Sequence, residues 1–351
     1  MSKKVLMKGN EAIAEAAIKA GCRLFFGYPI TPQTEVAETF AKRMPKVDGL
    51  CLQAESEIAA INMVLGASST GKRVMTSSSS PGISLKAEGI SYLVGSDLPC
   101  VIVNVQRGGP GLGGIQPSQA DYNQATKALG HGDQHVLVLA PASIQEIADL
   151  TMEAFDLADI YRMPAVILAD GALGQMMEPV DLEARAAREI PEKTWAADGH
   201  GFKRPHNIIN SLYLEPDALE KTVIERDKRY KEIEKTEVKY EEYLTDDADI
   251  IVVAYGITAR ISKSAINAAR KKGIKVGLFR PISLWPFPKD RLFELADKTK
   301  KFLTVELNMG QMVDDVRMAV QFKKPVEFFG RTGGMMPSVN EVLENIEKYA
   351  E

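Results

Sequence analysis

The chain has 351 residues, and its 43 lysines and arginines are balanced by 47 aspartates and glutamates, for a net charge of −4. The absence of a basic excess argues against a nucleic-acid-binding surface. No apolar run approaches the roughly 20 residues that a membrane span needs, and the apolar run at the start is too short for a signal peptide. We therefore expect a cytoplasmic protein of one large or two smaller domains, without nucleic acid or membrane among its partners.

The three cysteines, Cys22, Cys51 and Cys100, are isolated in apolar surroundings, and no Cys-x-x-Cys pattern occurs. Neither an iron–sulfur cluster nor a zinc ribbon can be assembled from this chain alone. We interpret the cysteines as buried free thiols.

Short apolar runs alternate with helical patterns through the first half of the chain. Buried strands are predicted at 24–26, 74–76, 101–105, 136–139 and 166–168. Asn10 and Thr31 are predicted as N-caps of helices, with Pro32 as the first helical residue, and Ser143 with Glu146 forms a capping box. Helices are also predicted at 57–68 and 84–93. This alternation is typical of a doubly wound parallel α/β sheet.

The composition changes near Pro191. Residues 215–243 are highly charged with a helical pattern, and we interpret them as an exposed arm between domains. A second βα series begins at Asp249, and it predicts a smaller α/β domain. Its strands are expected at 250–254, 276–279, 302–306 and 326–329. The predicted division is residues 1–190 for the first domain, 191–245 for a linker and charged helical arm, and 246–351 for the second domain.

A dinucleotide fingerprint, Gly109-x-Gly111-x-x-Gly114, follows a predicted strand. That motif requires a helix to begin at once, so that its N-terminus receives the pyrophosphate. Here Pro110 lies inside the motif and the chain continues without a helical start. We favour a loop that faces a substrate, because glycines let main-chain N–H groups approach a ligand.

Glu55 and Glu57 compete for one functional role, since both precede a helix rich in small residues. A surface glutamate at a helix N-terminus is the ordinary interpretation of either. The apolar residues that follow Glu57 favour its burial, and a buried carboxylate must be paired or carry a raised pKa. Such a group is suited to sharing a proton with a heterocycle.

Arg107 ends a strand of apolar and small residues, at the edge where a parallel sheet faces its ligand crevice. A guanidinium there can hold a carboxylate through two parallel hydrogen bonds, although an ion pair with a neighbouring acid is an equal alternative. Residues 77–82 contain four serines and are predicted to form a polar turn near the site. His131 and His135 are four residues apart, but Gly130 and Gly132 argue against a helix and hence against metal ligation.

Several motifs together resemble the α-type subunits of the 2-oxoacid:ferredoxin oxidoreductases. The resemblance covers essentially the whole chain. Its motifs are Gly27-Tyr28-Pro29-Ile30-Thr31-Pro32, Gln53-Ala54-Glu55-Ser56-Glu57, residues 76–82, Gln106-Arg107-Gly108-Gly109-Pro110 and Val305-Glu306-Leu307-Asn308-Met309-Gly310-Gln311-Met312. The family implies a thiamine diphosphate pyrimidine-binding domain followed by a smaller transketolase C-terminal-like domain.

The resemblance also assigns roles. Glu57 would be the catalytic glutamate at N1′ of the aminopyrimidine, and Tyr28, Pro29 and Ile30 would line the cofactor. Thr31 and Arg107 would hold the substrate carboxylate and keto group, with Gly108 and Gly109 beside them. The implied reaction is oxidative decarboxylation of a 2-oxoacid to an acyl-coenzyme A, with two electrons passed to ferredoxin.

The chain lacks the Gly-Asp-Gly and Asn-Asn pattern that binds the metal and diphosphate of this cofactor, since Asp170-Gly171 has neither the preceding glycine nor the downstream pair. The resemblance therefore implies a β-type subunit that brings the diphosphate site, Mg²⁺ and an iron–sulfur cluster. A small ferredoxin-like iron–sulfur subunit and a γ-type subunit are further expected partners.

The opening Met7-Lys8-Gly9-Asn10-Glu11-Ala12 is most similar to the branched-chain type, which implies 3-methyl-2-oxobutanoate as substrate. Enzymes for 2-oxoglutarate or pyruvate are alternatives, but 2-oxoglutarate would require an extra cation near residues 108–116, where there is none. A non-catalytic scaffolding subunit and a nicotinamide dehydrogenase built on residues 109–114 are the remaining alternatives.

Overall fold

A computed structural model of the chain describes residues 4–350. Within this range the strands form one seven-stranded, one five-stranded and one two-stranded sheet. The strands are β1 (Val5–Lys8), β2 (Leu24–Gly27), β3 (Leu50–Gln53), β4 (Val74–Ser78), β5 (Cys100–Gln106), β6 (Leu137–Leu139), β7 (Pro164–Asp170), β8 (Met177–Val180), β9 (Tyr240–Tyr243), β10 (Ile250–Val253), β11 (Val276–Pro281), β12 (Ser283–Trp285), β13 (Lys301–Glu306) and β14 (Val326–Gly330). The α-helices are α1 (Gly9–Lys19), α2 (Thr34–Arg43), α3 (Glu57–Ser69), α4 (Ser80–Gly95), α5 (Tyr122–Thr126), α6 (Ile144–Tyr161), α7 (Gly171–Gln175), α8 (Pro216–Thr236), α9 (Gly256–Lys271), α10 (Lys289–Ala296), α11 (Met312–Ala319) and α12 (Val339–Ala350).

The large sheet has the strand order β12-β6-β7-β5-β4-β2-β3, and every pairing in it is parallel except that of β12 with β6. Its central strands β5 and β7 are buried at all their positions, which explains their mostly apolar sequences. Their polar residues, Asn104, Gln106 and Asp170, lie in the carboxyl-terminal halves of the strands. The predicted doubly wound parallel α/β fold is confirmed.

The direction of the winding reverses between β2 and β4. From β2 the chain moves outward to the edge strand β3, then crosses back to β4 on the other side of β2. Open α/β sheets bind ligands outside the carboxyl ends of the strands at such a reversal. The topology therefore directs attention to the loops that follow β2 and β4.

The second sheet has the order β14-β13-β10-β11-β9, in which only β9 runs antiparallel. Strand β12 leaves this part of the chain and joins the edge of the large sheet.

The sequence analysis missed β1, β3, β8, β9 and β12. Four of these, β1, β3, β8 and β9, are exposed or half-buried at most positions. They therefore lack the buried apolar run by which the equally short β2, β6 and β10 were recognised.

Gln119 connects the two large sheets. Its side-chain amide donates to the carbonyl of Tyr255 (2.8 Å) and accepts from the main-chain N–H of Leu307 (3.1 Å). Its main-chain carbonyl accepts from Asn308 (2.8 Å), and its side chain is fully buried. Because a buried amide is costly unless it is hydrogen-bonded, these bonds hold the two sheets in one fixed relation.

Two predicted helix starts were wrong. Helix α1 begins at Gly9 after Lys8, because Asn10 donates instead to the carbonyl of Pro32 (2.8 Å) and to Glu35 (2.7 Å). Helix α2 begins at Thr34, so Thr31 is not its N-cap and Pro32 is not its first residue. Ser143 is the N-cap of α6 as predicted, since it accepts from the N–H of Glu146. The second half of the predicted capping box is not formed, because the Glu146 side chain accepts from the N–H of Ala142 and not from that of Ser143.

Helix α8 was expected to be an exposed arm, and this was wrong for one of its faces. Arg226, Tyr230 and Ile233 are buried, at the spacing of one helical stripe. The Tyr230 ring lies edge-on to those of His135 and Trp285, with centroids 5.2 and 5.6 Å away.

The polar turn expected at residues 77–82 is instead the end of β4 and the first turn of α4.

Candidate functional site at the carboxyl edge of the large sheet

Glu57 is the first residue of α3, and its side chain is 6% exposed. The preceding Ser56 caps the helix by accepting a hydrogen bond of 3.1 Å from the N–H of Ala59. Glu55 is exposed. The predicted burial of Glu57 rather than Glu55 is therefore confirmed: Glu57 faces the interior and Glu55 faces solvent.

The first turns of α4 pack against Glu57. A Cβ atom added to Gly82 would lie 2.6 Å from Oε1 of Glu57 and would overlap Oγ of Ser78, so only glycine fits there. One turn later, Nζ of Lys86 lies 3.4 Å from the main-chain carbonyl of Glu57. The carboxyl group therefore sits in a narrow polar cleft between α3 and α4.

Three hydroxyl groups near the end of β4 are buried without a hydrogen-bond partner among residues 4–350. They belong to Thr76, Ser78 and Ser79. Of these, Ser78 lies beside the carboxyl of Glu57, since both approach the same point at Gly82. Buried polar groups are nearly always hydrogen-bonded, so an unpaired hydroxyl beside a buried carboxyl indicates a site that a polar ligand completes.

Arg107 follows β5 and is 9% exposed. Its two terminal nitrogens donate to the main-chain carbonyls of Thr31 (3.0 Å) and Leu112 (3.1 Å). The alternative of an ion pair with a neighbouring acid is not observed, because no carboxylate of residues 4–350 pairs with Arg107, and its Nε has no partner there. The guanidinium keeps an uncompensated positive charge, as a group that binds an anionic ligand requires.

A small network holds the main chain of Arg107. Its N–H donates to Oγ of Ser80 (3.0 Å), and Ser80 donates to the carboxylate of Asp121 (2.6 Å). Asn104 donates to the same oxygen (2.9 Å). Burial raises the pKa of Asp121, while the hydrogen bonds from Ser80 and Asn104 act against it. The sequence analysis missed this network, because its members come from separate segments of the chain.

Ser80 and Gly82 place the start of α4 between Arg107 and Glu57. Ser80 contacts Arg107, and Gly82 contacts Glu57 two residues later. On the β2 side, Oε1 of Gln33 accepts from Ser77 (2.5 Å) and ties the loop after β2 to β4. The side chain of Thr31 is exposed at this edge.

Tyr28 and Pro29 border an apolar cavity of about 360 Å³ between β3 and α2. Its floor includes Phe25, Cys51 and Ala37, while Ile30 is half-buried and does not line it. Of the three residues expected to line a cofactor, Tyr28 and Pro29 thus border this cavity and Ile30 does not.

Residues 108–116 form a loop closed on itself, in which Gly108 donates to Gln116 (3.0 Å) and Gly114 donates to Gly108 (2.9 Å). No helix begins between Arg107 and Tyr122, so the dinucleotide motif lacks the helix that it requires. The second domain approaches this loop. Main-chain atoms of Gly333 and Gly334 lie 3.8 Å from the point that a Cβ atom added to Gly108 would occupy.

The motif at residues 305–312 is structural. Glu306 is fully buried, and its carboxylate accepts from the N–H groups of Met312 (2.8 Å) and Val313 (2.9 Å) at the start of α11. Burial raises the pKa of Glu306, and these bonds act against the rise. The carboxylate thus caps α11 next to the inter-sheet contact made by Gln119.

Comparisons with known proteins give related matches for the first and the second part of the chain. Residues 15–244 match the family model described as pyruvate flavodoxin/ferredoxin oxidoreductase, thiamine diphosphate-binding. The chain is an α-type subunit of the 2-oxoacid:ferredoxin oxidoreductase family. Residues 248–342 match core domain II of pyruvate:ferredoxin oxidoreductase. As a subunit of this family, the chain works within a heteromeric oxidoreductase complex that uses thiamine diphosphate.

Two relatives of this α-type subunit illustrate its range of similarity. The ketoisovalerate oxidoreductase subunit VorB of Methanothermobacter thermautotrophicus is 51% identical, over 98% of this chain and 97% of its own. The 2-oxoglutarate synthase subunit KorA of Methanothermobacter marburgensis is 36% identical, over 99% of both chains. Both similarities run through the two sheets of the subunit.

Solved structures match the subunit as well. The 2-oxoglutarate:ferredoxin oxidoreductase of Magnetococcus marinus superposes with a TM-score of 0.88 at 27% identity, over all of this chain. The subunit spans 66% of the length of that chain. A split-gene transketolase superposes with a TM-score of 0.61 at 15% identity, which shows a shared fold alone. The predicted pairing of a pyrimidine-binding-type domain with a smaller transketolase-like domain is confirmed at the level of fold.

The residues at the carboxyl edge fit part of the family cofactor. A buried carboxyl beside an unpaired hydroxyl suits the ring nitrogens and amino group of an aminopyrimidine. Among residues 4–350 no group of three or more His, Cys, Asp or Glu side chains could hold a metal ion. In the same range, no helix is both apolar enough and long enough to cross a membrane.

Proposed function

We propose that this chain is the α-type subunit of an enzyme that oxidatively decarboxylates a branched-chain 2-oxoacid, 3-methyl-2-oxobutanoate, to its acyl-coenzyme A and reduces ferredoxin. The observation that carries the proposal is the buried carboxyl of Glu57 in its polar cleft beside the start of α4. The same turn of α4 contacts Arg107, whose guanidinium pairs with no acid of residues 4–350. The 51% identity to a ketoisovalerate oxidoreductase subunit supports the same substrate.

Glu57 would hold the aminopyrimidine of thiamine diphosphate, by a hydrogen bond between its carboxyl group and N1′. When bound, the cofactor supplies the carbon that attacks the 2-oxoacid and stabilises the charge that develops on loss of carbon dioxide. The protein's contribution is orientation, and the glycine at position 82 leaves room for the carboxyl to reach the ring. The side chain of Glu57 would share one proton with the ring nitrogen.

Arg107 and Thr31 would bind the substrate. Each terminal nitrogen of Arg107 carries two N–H groups and makes one hydrogen bond, to Thr31 or to Leu112, so the guanidinium has further donors for a carboxylate. The exposed hydroxyl of Thr31, whose carbonyl already contacts Arg107, lies beside it and would donate to the keto oxygen. The main-chain N–H groups of Gly108 and Gly109 begin the loop that would cover the substrate.

The preference for a neutral branched side chain is supported by the loop composition. Residues 108–116 contain Leu112 and Ile115 and no cation. The facing loop of the second domain contributes Gly333 and Gly334, and its Arg331 is paired with Glu341. A second carboxylate, as in 2-oxoglutarate, would find no counter-charge here.

The remaining components would come from partner subunits. A β-type subunit would bring the diphosphate-binding site, Mg²⁺ and an iron–sulfur cluster, and this chain would be inactive without it. A ferredoxin-like iron–sulfur subunit, and a γ-type subunit, would complete the cytoplasmic complex. We further propose functional units at residues 1–190, 191–245 and 246–351.

The decisive test is Glu57→Gln in the reconstituted complex, with 2-oxoacid, coenzyme A and a viologen dye. We expect turnover to fall by at least about a thousandfold, because an amide cannot share a proton with the ring nitrogen. The matched control is Glu55→Gln, two residues away but exposed, which should retain activity. Turnover within threefold of wild type in Glu57→Gln would instead favour a scaffolding subunit.

The substrate is tested with the same complex and a panel of 2-oxoacids. We expect 3-methyl-2-oxobutanoate to have the highest kcat/KM and 2-oxoglutarate to be at least about a hundredfold poorer, because its second carboxylate would be buried without a partner. A preference for pyruvate or 2-oxoglutarate would overturn the substrate but not the role of Glu57.

A further inference from the structure

Lys86 is a lysine with no solvent-exposed surface. It lies in the middle of α4, on the side that faces α3, one helical turn after Gly82. A lysine side chain is almost never completely buried unless a partner compensates its charge. The proposed reaction assigns no task to Lys86, so its burial calls for an explanation.

The immediate surroundings of the Lys86 ammonium satisfy only part of its hydrogen-bonding capacity. Its Nζ donates to the main-chain carbonyl of Glu57 at the long distance of 3.4 Å. An ammonium carries three donors, and in the region between Lys4 and Ala350 no other hydrogen bond or ion pair of Nζ is formed. The group therefore keeps most of its charge available for a longer-range interaction.

Glu57 is the ionisable group whose charge reaches Lys86 among the described residues. Burial lowers the pKa of Lys86 to about 8, and the negative charge of Glu57 acts in the opposite direction. Glu88 lies on the same helix, but it is exposed and accepts a hydrogen bond of 2.5 Å from Tyr92. Gly82 and Lys86 thus form one face of α4 that is directed at the Glu57 residue.

We propose that Lys86 is a positioning residue that supplies a buried positive charge to stabilise the ionised carboxyl of Glu57. The inference rests on the proposed role of Glu57 in holding the aminopyrimidine. When Glu57 passes its proton to a ring nitrogen, a carboxylate remains in a site with little water. A positive charge held across the α3–α4 contact lowers the free energy of that carboxylate.

The coupling can be measured without catalysis. The full chain is labelled with carbon-13 at glutamate Cδ, and the Glu57 signal is assigned as the one that disappears in Glu57→Gln. We expect this signal to show an inflection near pH 8, where Lys86 loses its proton. In Lys86→Arg, whose guanidinium does not titrate, the inflection should vanish, whereas the exposed control Lys72→Met should retain it.

The same variants in the complex separate positioning from packing. Lys86→Met should lower kcat by about 10-fold to 100-fold at pH 7 and leave KM for the 2-oxoacid within about twofold, because Lys86 does not contact Arg107. Lys86→Arg should keep activity above pH 8, where the wild type declines. The packing control is Ile90→Val, one turn further along α4, which should keep the wild-type pH profile.

Three results would overturn the inference: a Glu57 signal with no inflection near pH 8, an inflection that persists in Lys86→Arg, or identical pH profiles for Lys86→Arg and wild type. The first is measured on the wild-type chain, so it does not depend on whether any Lys86 variant folds. If the Glu57 signal shows the inflection and Glu57→Gln nevertheless remains active in the complex, the electrostatic pairing of Lys86 with Glu57 stands and the catalytic role of Glu57 is refuted.

Discussion

A terminal nitrogen of Arg107 donates a hydrogen bond of 3.0 Å to the main-chain carbonyl of Thr31, so the ends of β5 and β2 meet through a side chain and a backbone. The two residues are 76 positions apart in the chain. This contact orients the guanidinium before any substrate is present, and it leaves the hydroxyl of Thr31 at the surface. Preorganised charge of this kind lowers the cost of binding an anion.

Replacing Arg107 by methionine should lower kcat/KM for the 2-oxoacid by about 100-fold to 1000-fold, since charge-assisted hydrogen bonds contribute about 1.5 to 3 kcal/mol each. Steady-state kinetics of the reconstituted complex measure this. Binding of thiamine diphosphate should be unchanged within threefold. Arg317→Met, at a 42% exposed arginine of α11, is the control. An unchanged kcat/KM in Arg107→Met would remove the substrate-binding role.

Gly82→Ala should destabilise the chain by about 1 to 3 kcal/mol, because the added methyl group collides with Glu57 and Ser78. The matched control is Gly66→Ala in α3, where the added atom meets nothing within 4 Å. That change should stabilise the chain by up to about 1 kcal/mol. Urea unfolding of both variants provides the comparison. Equal free energies of unfolding for Gly82→Ala and Gly66→Ala would contradict the narrow cleft beside Glu57.

Acid should weaken the contact between α1 and α2. Burial would raise the pKa of Glu35, but hydrogen bonds from Asn10 and Lys8 outweigh it and lower the pKa to about 2. A carboxyl whose pKa is lower in the folded chain than in the unfolded one stabilises the fold above about pH 4.3, and this stability is lost as the pH falls towards 2. The wild type should therefore lose about 2 to 3 kcal/mol relative to Glu35→Gln over that range. The measurement is the free energy of unfolding of wild type and Glu35→Gln at pH 2 and at pH 6. The same difference between the two proteins at both pH values would contradict this prediction.

Gln119→Met should destabilise the chain by about 2 to 4 kcal/mol, because it leaves the carbonyl of Tyr255 and the N–H of Leu307 buried without partners. Thermal unfolding and proteolysis between the two sheets are the measurements. Gln124→Met, which loses one bond to Ser84 nearer the surface, should stay within about 0.5 kcal/mol of wild type. Equal effects of the two substitutions would show that Gln119 does not fix the relation of the sheets.

The sequence predicted the long and strongly patterned elements well. Strands β5 and β7 are mostly apolar, and α6 begins at a serine N-cap, so local preference and tertiary structure agree there. The helix start at Asn10 was wrong because its side chain donates to Pro32 and Glu35 instead of capping α1. The start at Thr31 was wrong because α2 begins three residues later, at Thr34. A good capping residue is used as a cap only where no stronger tertiary partner competes for it.

Part of the candidate site was predictable and part was not. Arg107 and Thr31 could be named because each follows a predicted strand, and such strand ends meet at one edge of a parallel sheet. Glu57 could be named from the apolar residues that follow it and from the family motif at residues 53–57. Lys86 was missed, although a signal was present: it lies three residues after Ile83 and four before Ile90, on the apolar stripe of α4. A lysine within such a stripe indicates a buried charge with a partner to be found.

By itself, the sequence determined the α/β class, the two βα series and the family motifs at residues 27–32, 53–57 and 106–110, because these depend on local periodicity and on residues close together in the chain. Only the tertiary structure decided that Arg107 has no acidic partner within residues 4–350 and that the buried Lys86 faces the candidate catalytic glutamate. Burial and pairing are properties of contacts between distant segments, and such contacts exist only after the sheets and helices have packed.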